Sequence, residues 1–191
     1  GIVDLALTPG SAEQLPELLT AARIMGFAGL NITYPCKQAV ISLLDGLSDE
    51  AAAIGAVNTV VIRDDRLTGH NTDASGWAWG LGRQLPDADL DCVVLLGAGG
   101  AGCAVAHAVL GLGARRLRLV DTDPARAGAL ADALRARHGA RVEVCGTAAE
   151  AMSGATGLIH ATPTGMAAHP GLPLPVALLH PFSTPPVGRS P

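Results

Sequence analysis

Three short polar runs in the first part of the chain carry the side chains best suited to moving a proton. They are Asn31-Ile32-Thr33-Tyr34-Pro35-Cys36-Lys37, Asn58-Thr59 and Asn71-Thr72-Asp73. Each is expected at a strand end, and in an open α/β sheet ligands bind outside the carboxyl ends of the strands. These groups could therefore converge on one small polyhydroxylated molecule. A lysine facing an aspartate suits transfer of a hydroxyl proton, because the ammonium donates to an alkoxide and the free amine accepts from an alcohol. From spacing alone Lys37 is more readily a solvated surface lysine, and Asn and Asp after strands are more readily turn formers.

The second constellation is Gly97-Ala98-Gly99-Gly100-Ala101-Gly102, a G-x-G-x-x-G run that follows an apolar stretch and opens a helical one. The first glycine permits a tight turn, the second lets a pyrophosphate approach the backbone, and the third lets helix and strand pack closely. The helix start then supplies unpaired N–H groups and the positive end of a dipole. A glycine turn that binds nothing is the plain alternative. Asp121, at the end of the next strand, stands near the offset where a carboxylate accepts from the adenosine ribose hydroxyls. Such a carboxylate repels a 2′-phosphate, so NAD is expected over NADP. Arg126 is the counter-candidate for a phosphate contact, but it falls in a helical pattern where a surface ion pair accounts for it better.

These groups need a scaffold. Residues 13–25 place Leu15, Leu18, Leu19 and Ala22 at helical spacing, with Gly26 as a stop. Residues 28–32 read as a strand, 37–44 and 48–54 as short helices, and Ser48 as the cap of the second. Val57 to Arg63 and Leu67 to Gly69 read as a hairpin with Asp64-Asp65 at its tip. Residues 74–84 predict a helix leading to a second lobe, where Trp77 and Trp79 are expected to pack. From Asp91 onward the pattern is β-α-β-α-β, strands at 92–96, 116–120 and 141–145 with helices at 104–112 and 124–137, followed by a short helix at 148–152 and a fourth strand at 157–161. Alternation of this kind implies a parallel sheet with helices on both faces. The expected fold is thus α/β in two lobes, an N-terminal α/β substrate lobe over 1–80 and a Rossmann-like parallel-sheet NAD(P)-binding lobe over 88–178. A proline-rich tail without periodicity covers 179–191.

Composition narrows the function. The chain has 191 residues, 49% of them hydrophobic and 16% charged, enough for a core and too little charge for disorder. With thirteen basic against seventeen acidic side chains, net charge −4, and no Lys/Arg run, nucleic acid is not an expected partner. No stretch is apolar for long enough to cross a membrane, and no basic start followed by an apolar run marks a secretion signal. Cys36, Cys92, Cys103 and Cys145 show no metal-ligand spacing and read as reduced thiols, so no metal is expected and the chain reads as cytoplasmic. A homo-oligomer is compatible with all of this. His70, His107 and His160 read as packed or hydrogen-bonded histidines.

Five motifs in order carry a resemblance: GLNITYPCK at 29–37, GAVNT at 55–59, HNTD at 70–73, GAGGAG at 97–102 and ATPTGM at 161–166. Together they resemble the shikimate dehydrogenase family over roughly 13–178, and LVDTDPARAGALA looks like its NAD-using quinate/shikimate branch. The resemblance implies oxidation of shikimate or quinate to the 3-dehydro acid, with hydride passing to the nicotinamide. It makes Lys37 the catalytic acid/base and Asp73 its partner on the same substrate hydroxyl. Thr33 and Asn58 fall at substrate-binding positions, Gly97 through Gly102 and Asp121 at the cofactor site, and Thr162, Pro163 and Met166 where a loop flanks the nicotinamide. The methylenetetrahydrofolate dehydrogenases share a related design, but the Asn-Thr-Asp triplet at 71–73 argues against them.

Two departures stand out. The family opens with a strand and a loop whose hydroxyls hold the substrate carboxylate, and nothing before Ser11 matches. It also continues past Leu178 into a glutamine-bearing helix, where this chain runs into HPFSTPPVGRSP. These departures imply a chain truncated at both ends, a substrate lobe lacking its first strand, and an exposed sheet edge. A non-catalytic dinucleotide-binding remnant is the competing expectation.

Overall fold

The computed structural model describes residues 2–4 and 13–179. The chain divides into two compact units, Gly1–Trp77 and Ala78–Pro191.

The first unit is built on a five-stranded mixed sheet, ordered β1-β2-β4-β5-β3, formed by β1 (Ile2–Asp4), β2 (Gly29–Asn31), β3 (Gly46–Leu47), β4 (Thr59–Arg63) and β5 (Arg66–His70). The expectation that this lobe lacks its first strand is overturned. β1 pairs in parallel with β2, Val3 opposite Leu30, and covers the edge that was expected to be open. Ile2–Asp4 escaped the sequence reading because three residues give too few turns of the period-2 pattern to register. The stretch after it, where the family's hydroxyl-bearing loop was expected to be missing, lies outside the described residues.

β4 and β5 form the hairpin, with Asp64 and Asp65 at φ 50° and 61° supplying the positive-φ tip. Helix α1 (Leu15–Ile24) turns Leu15, Leu19 and Ala22 inward against Leu30, Ile32, Val57, Val60 and Leu67, which form the core of this unit. Helix α2 (Asp49–Ile54) starts at Ser48, whose hydroxyl accepts from the Ala51 N–H at 3.2 Å. The helix expected over 37–44 is a shorter 3-10 turn, Ala39–Leu43. Helix α3 (Asp73–Gln84) begins at the aspartate of the third polar run.

The second unit carries a four-stranded parallel sheet: β6 (Cys92–Leu96), β7 (Arg116–Val120), β8 (Val142–Val144) and β9 (Gly157–His160), ordered β8-β7-β6-β9. Every residue of β6 is buried, so both faces of that strand are covered. Val94 and Leu96 meet helix α6 (Ala148–Met152) and Leu174, while α4 (Gly100–Gly111) and α5 (Pro124–His138) pack on the sheet and on each other. Pro124 occupies the first position of α5 and Asp123 caps it. In chain order the sheet reads 3-2-1-4, and the direction of winding reverses between β6 and β9. That reversal opens a crevice at the carboxyl ends of those two strands.

Trp79 corrects the packing expectation. It is 67% exposed, and the Arg83 guanidinium lies 4.9 Å from its ring centroid. The segment after Pro170 sends Leu174 into the core and forms a 3-10 turn at Val176–Leu178; beyond Leu179 the proline-rich tail lies outside the described residues.

Candidate active site

In the first unit the polar runs do meet. Cys36 is fully buried and anchors its loop in the core, and the Lys37 carbonyl accepts from the Val57 N–H at 2.8 Å. The backbone at Lys37 is thereby fixed next to β4, and its side chain reaches Asp73, Nζ to Oδ2 2.5 Å. The pair is partly shielded, with the side chains 18% and 30% exposed, which strengthens their attraction over that of a fully solvated pair.

Asp73 is aimed by its neighbours. Asn71, 2% exposed, donates to the Ala56 carbonyl at 2.9 Å and accepts from the Asp73 N–H at 2.9 Å, a turn closed by a side chain. Asn58 donates from Nδ2 to Asp73 Oδ1 and to the Thr72 hydroxyl, both at 2.9 Å. Its Oδ1 accepts from the Thr72 N–H at 3.1 Å and from the Thr59 hydroxyl at 3.0 Å. The amide thus uses its two hydrogens and two lone pairs inside the protein. Thr33 stands exposed just beyond β2, its carbonyl accepting from Cys36 N–H. The sequence reading placed Asn71 and Thr72 in a polar run and read Asn after a strand as a turn former, the part Asn71 plays here; it did not name either as a support for Asp73, for which the spacing of Asn71 two residues before Asp73 was the available signal.

Chemically, this is a carboxylate with one oxygen on an ammonium and the other on an amide. Such an ammonium can give a proton to a developing alkoxide, and the carboxylate keeps it oriented until it does. Burial pushes the neighbouring Cys36 thiol up from its ordinary value, so it stays protonated and serves packing.

In the second unit the glycine run forms the turn from β6 into α4. Gly97 has φ 99°, and a Cβ there would lie 2.9 Å from the Ala161 carbonyl oxygen. A Cβ on Gly102 would collide with the Gly97 carbonyl, which is the close strand–helix packing the third glycine permits. Gly99 faces open space instead. It is the N-cap of α4 and offers no side-chain cap, leaving the N–H groups of the first turn available to an anion. A dinucleotide pyrophosphate fits this cradle: open above Gly99, tight at Gly97 and Gly102, positive at the helix end. Ala98 is buried, and Gly100 and Ala101 form the opening of the helix.

Asp121 lies at the mouth of the same turn, with its side chain 6% exposed. Its Oδ2 accepts from the Ala98 N–H at 2.6 Å and its Oδ1 from the Asp123 N–H at 2.8 Å. The carboxylate therefore ties the glycine turn to the end of β7. Asp123 is the more exposed acid, and the Arg126 and Ala125 backbone N–H groups hold its carboxyl below the usual range. Arg126 pairs with it at 3.5 Å. Thr162, Pro163 and Met166 follow β9 in a compact turn, Met166 half exposed, with its N–H on the Pro163 carbonyl.

Among the described residues no group of three or more His, Cys, Asp and Glu is placed to hold a metal, and all four cysteines are free and buried. No described helix is long and apolar enough to cross a membrane.

The family model for the shikimate dehydrogenase substrate binding domain matches residues 3–60. The chain is 54% identical over 183 residues to a shikimate dehydrogenase (NADP(+)) of Streptomyces avermitilis, covering 94% of this chain and 63% of that one. It is 50% identical to a quinate/shikimate dehydrogenase (NAD(+)) of Corynebacterium efficiens, covering 94% and 64%. Among solved structures, quinate dehydrogenase from Corynebacterium glutamicum in complex with NAD superposes with a TM-score of 0.77 at 46% identity, covering 91% of this chain and 63% of that one. The chain thus spans a little under two thirds of the length of these relatives. With a matching substrate-domain model over its first part and about half its residues shared along nearly its whole length, the chain is similar to shikimate and quinate/shikimate dehydrogenases.

Proposed function

We propose that this chain belongs to a dehydrogenase that interconverts shikimate or quinate with the 3-dehydro acid, residues 1–80 serving the substrate and 88–178 the dinucleotide. The observation that carries the reading is the Lys37–Asp73 pair at 2.5 Å, braced by Asn58. In the oxidative direction Lys37, as the free amine, takes the proton from the substrate hydroxyl as the C–H bond to the same carbon breaks, and in the reductive direction the ammonium returns it. The nicotinamide, when bound, accepts or supplies the hydride. Asp73 holds Lys37 beside the same substrate hydroxyl and pairs with the ammonium once the proton has moved, Thr33 serves the other polar groups of the ring, and Asn58, its amide already engaged, acts there by holding Asp73. Gly97 through Gly102 receive the pyrophosphate, and Thr162, Pro163 and Met166 border the nicotinamide.

For the cofactor we favour NAD. Asp121 and Asp123 put two carboxylates at the end of β7, where a 2′-phosphate would be repelled. The buried, reduced cysteines suit the cytoplasm.

The test is a rate assay with shikimate and with quinate, each with NAD and with NADP. Appearance of reduced-nicotinamide absorbance, abolished in Lys37→Ala, supports the reading. Dinucleotide binding without turnover of either acid overturns it.

A further inference from the structure

His160 is the last residue of β9 and stands directly before the Thr162–Met166 turn. Both nitrogens of its ring are engaged by that turn. The Thr162 N–H lies 3.4 Å from Nδ1 and the Thr162 hydroxyl 3.2 Å from it. Nε2 lies 3.0 Å from the Thr164 carbonyl oxygen. The same Thr162 hydroxyl accepts from the Thr164 N–H at 3.2 Å.

The chemistry of these partners fixes the tautomer. A backbone N–H only donates, so Nδ1 carries the lone pair; a carbonyl only accepts, so Nε2 carries the hydrogen. The ring then closes a circuit: Thr164 N–H to the Thr162 hydroxyl, that hydroxyl and the Thr162 N–H to Nδ1, and Nε2–H back to the Thr164 carbonyl. The circuit spans the first half of the turn and holds it against Gly97, since the space beside Gly97 is filled by the Ala161 carbonyl and the Thr162 methyl.

We propose that His160 is a positioning residue for the nicotinamide half of the dinucleotide site, splinting the Thr162–Met166 turn in its neutral, Nε2-protonated form. The proposal rests on reading this turn and the glycine turn as the two ends of a dinucleotide site. His160 touches neither reacting atom; it acts through Thr162 and Thr164. Asparagine places an acceptor where Nδ1 sits but has no group at the Nε2 position, so it restores part of the circuit.

The experiment compares a whole dinucleotide with a fragment that lacks the nicotinamide ring. Affinities for NAD and ADP-ribose, or for NADP and 2′-phospho-ADP-ribose if the wild-type chain takes NADP, are measured by calorimetry. In His160→Ala the dinucleotide is expected to weaken about tenfold, the loss of roughly two ordinary hydrogen bonds. The fragment is expected to keep its affinity, and His160→Asn to fall between wild type and alanine. Equal weakening of dinucleotide and fragment, or no weakening of either, overturns the role. Ring nitrogen shifts measured by NMR on the ligand-free chain give a separate readout: an Nε2–H tautomer supports the circuit, and an Nδ1–H tautomer overturns it whatever the ligand does. A wild-type chain that binds neither molecule overturns the dinucleotide reading itself, and this proposal with it.

Discussion

Lys37 Nζ stands 2.5 Å from one carboxylate oxygen of Asp73, a residue 36 positions later in the chain. Neither residue's immediate sequence announces the other. The contact exists because Cys36 fixes one loop in the core while Asn71 and Asn58 fix the start of α3.

If this pair moves the hydroxyl proton, Lys37→Ala should lower kcat by about 100- to 10,000-fold, the usual span for a positioned acid/base. Asp73→Asn should lose rate as well, because the ammonium loses its charged partner. Dinucleotide affinity, measured by calorimetry, should be unchanged in both, since the glycine turn belongs to the other unit. Wild-type turnover in Lys37→Ala would remove the lysine from the mechanism.

The three glycines of the motif should fail in different ways. Gly102→Ala and Gly97→Ala force atoms together, so thermal denaturation should reveal destabilisation of about 1–3 kcal/mol. Gly99→Ala projects a methyl into open space and should leave stability within about 0.5 kcal/mol, yet weaken dinucleotide binding. Unaltered binding in a stable Gly99→Ala chain would count against the pyrophosphate cradle.

Asp121 and Asp123 separate by the same logic. Asp121→Ala strips the acceptor from the Ala98 and Asp123 N–H groups and should cost about 1–3 kcal/mol, read from denaturant midpoints. Asp123→Ser keeps a capping oxygen and removes the exposed charge, so it should move the ratio of kcat/KM values toward NADP. If the native chain already prefers NADP, the assignment of NAD is wrong.

Acidification should loosen the second unit. Burial, then the charges of Arg141 and Arg137, push the His138 ring below its ordinary value of 6.5. The unfolded chain therefore binds this proton first as pH falls. The stability contributed by the neutral ring is present above 6.5 and is lost as pH drops toward the depressed folded value. Melting temperatures across that window should fall, and His138→Gln should flatten the slope. A slope that survives the substitution would assign it to other groups.

Much of the scaffold was readable because local chemistry and tertiary role agree. Ser48 caps α2, Pro124 opens α5, Asp64-Asp65 turn the hairpin, and the glycine run sits between β6 and α4. What escaped was set by distant partners. β1 and the two-residue β3 have no period of their own and exist through pairing with β2 and β5. Leu174, placed between prolines, gives no pattern, yet it is buried against Val94. Asp121 was read as a ribose ligand because its offset fits that task; its bond to Ala98 depends on β6 and β7 lying side by side, which no spacing along the chain encodes. Trp79 was expected to pack because large aromatics usually do, and nothing along the helix signals that its face is bare.

The saturated amide of Asn58 has a kinetic meaning. With every donor and acceptor of that side chain engaged before any ligand arrives, the orientation of Asp73 is settled during folding and not renewed at each encounter. Differences in rate among related hydroxy acids should then reflect how each molecule fits a rigid pair of charges, with little contribution from the pair rearranging to suit its guest.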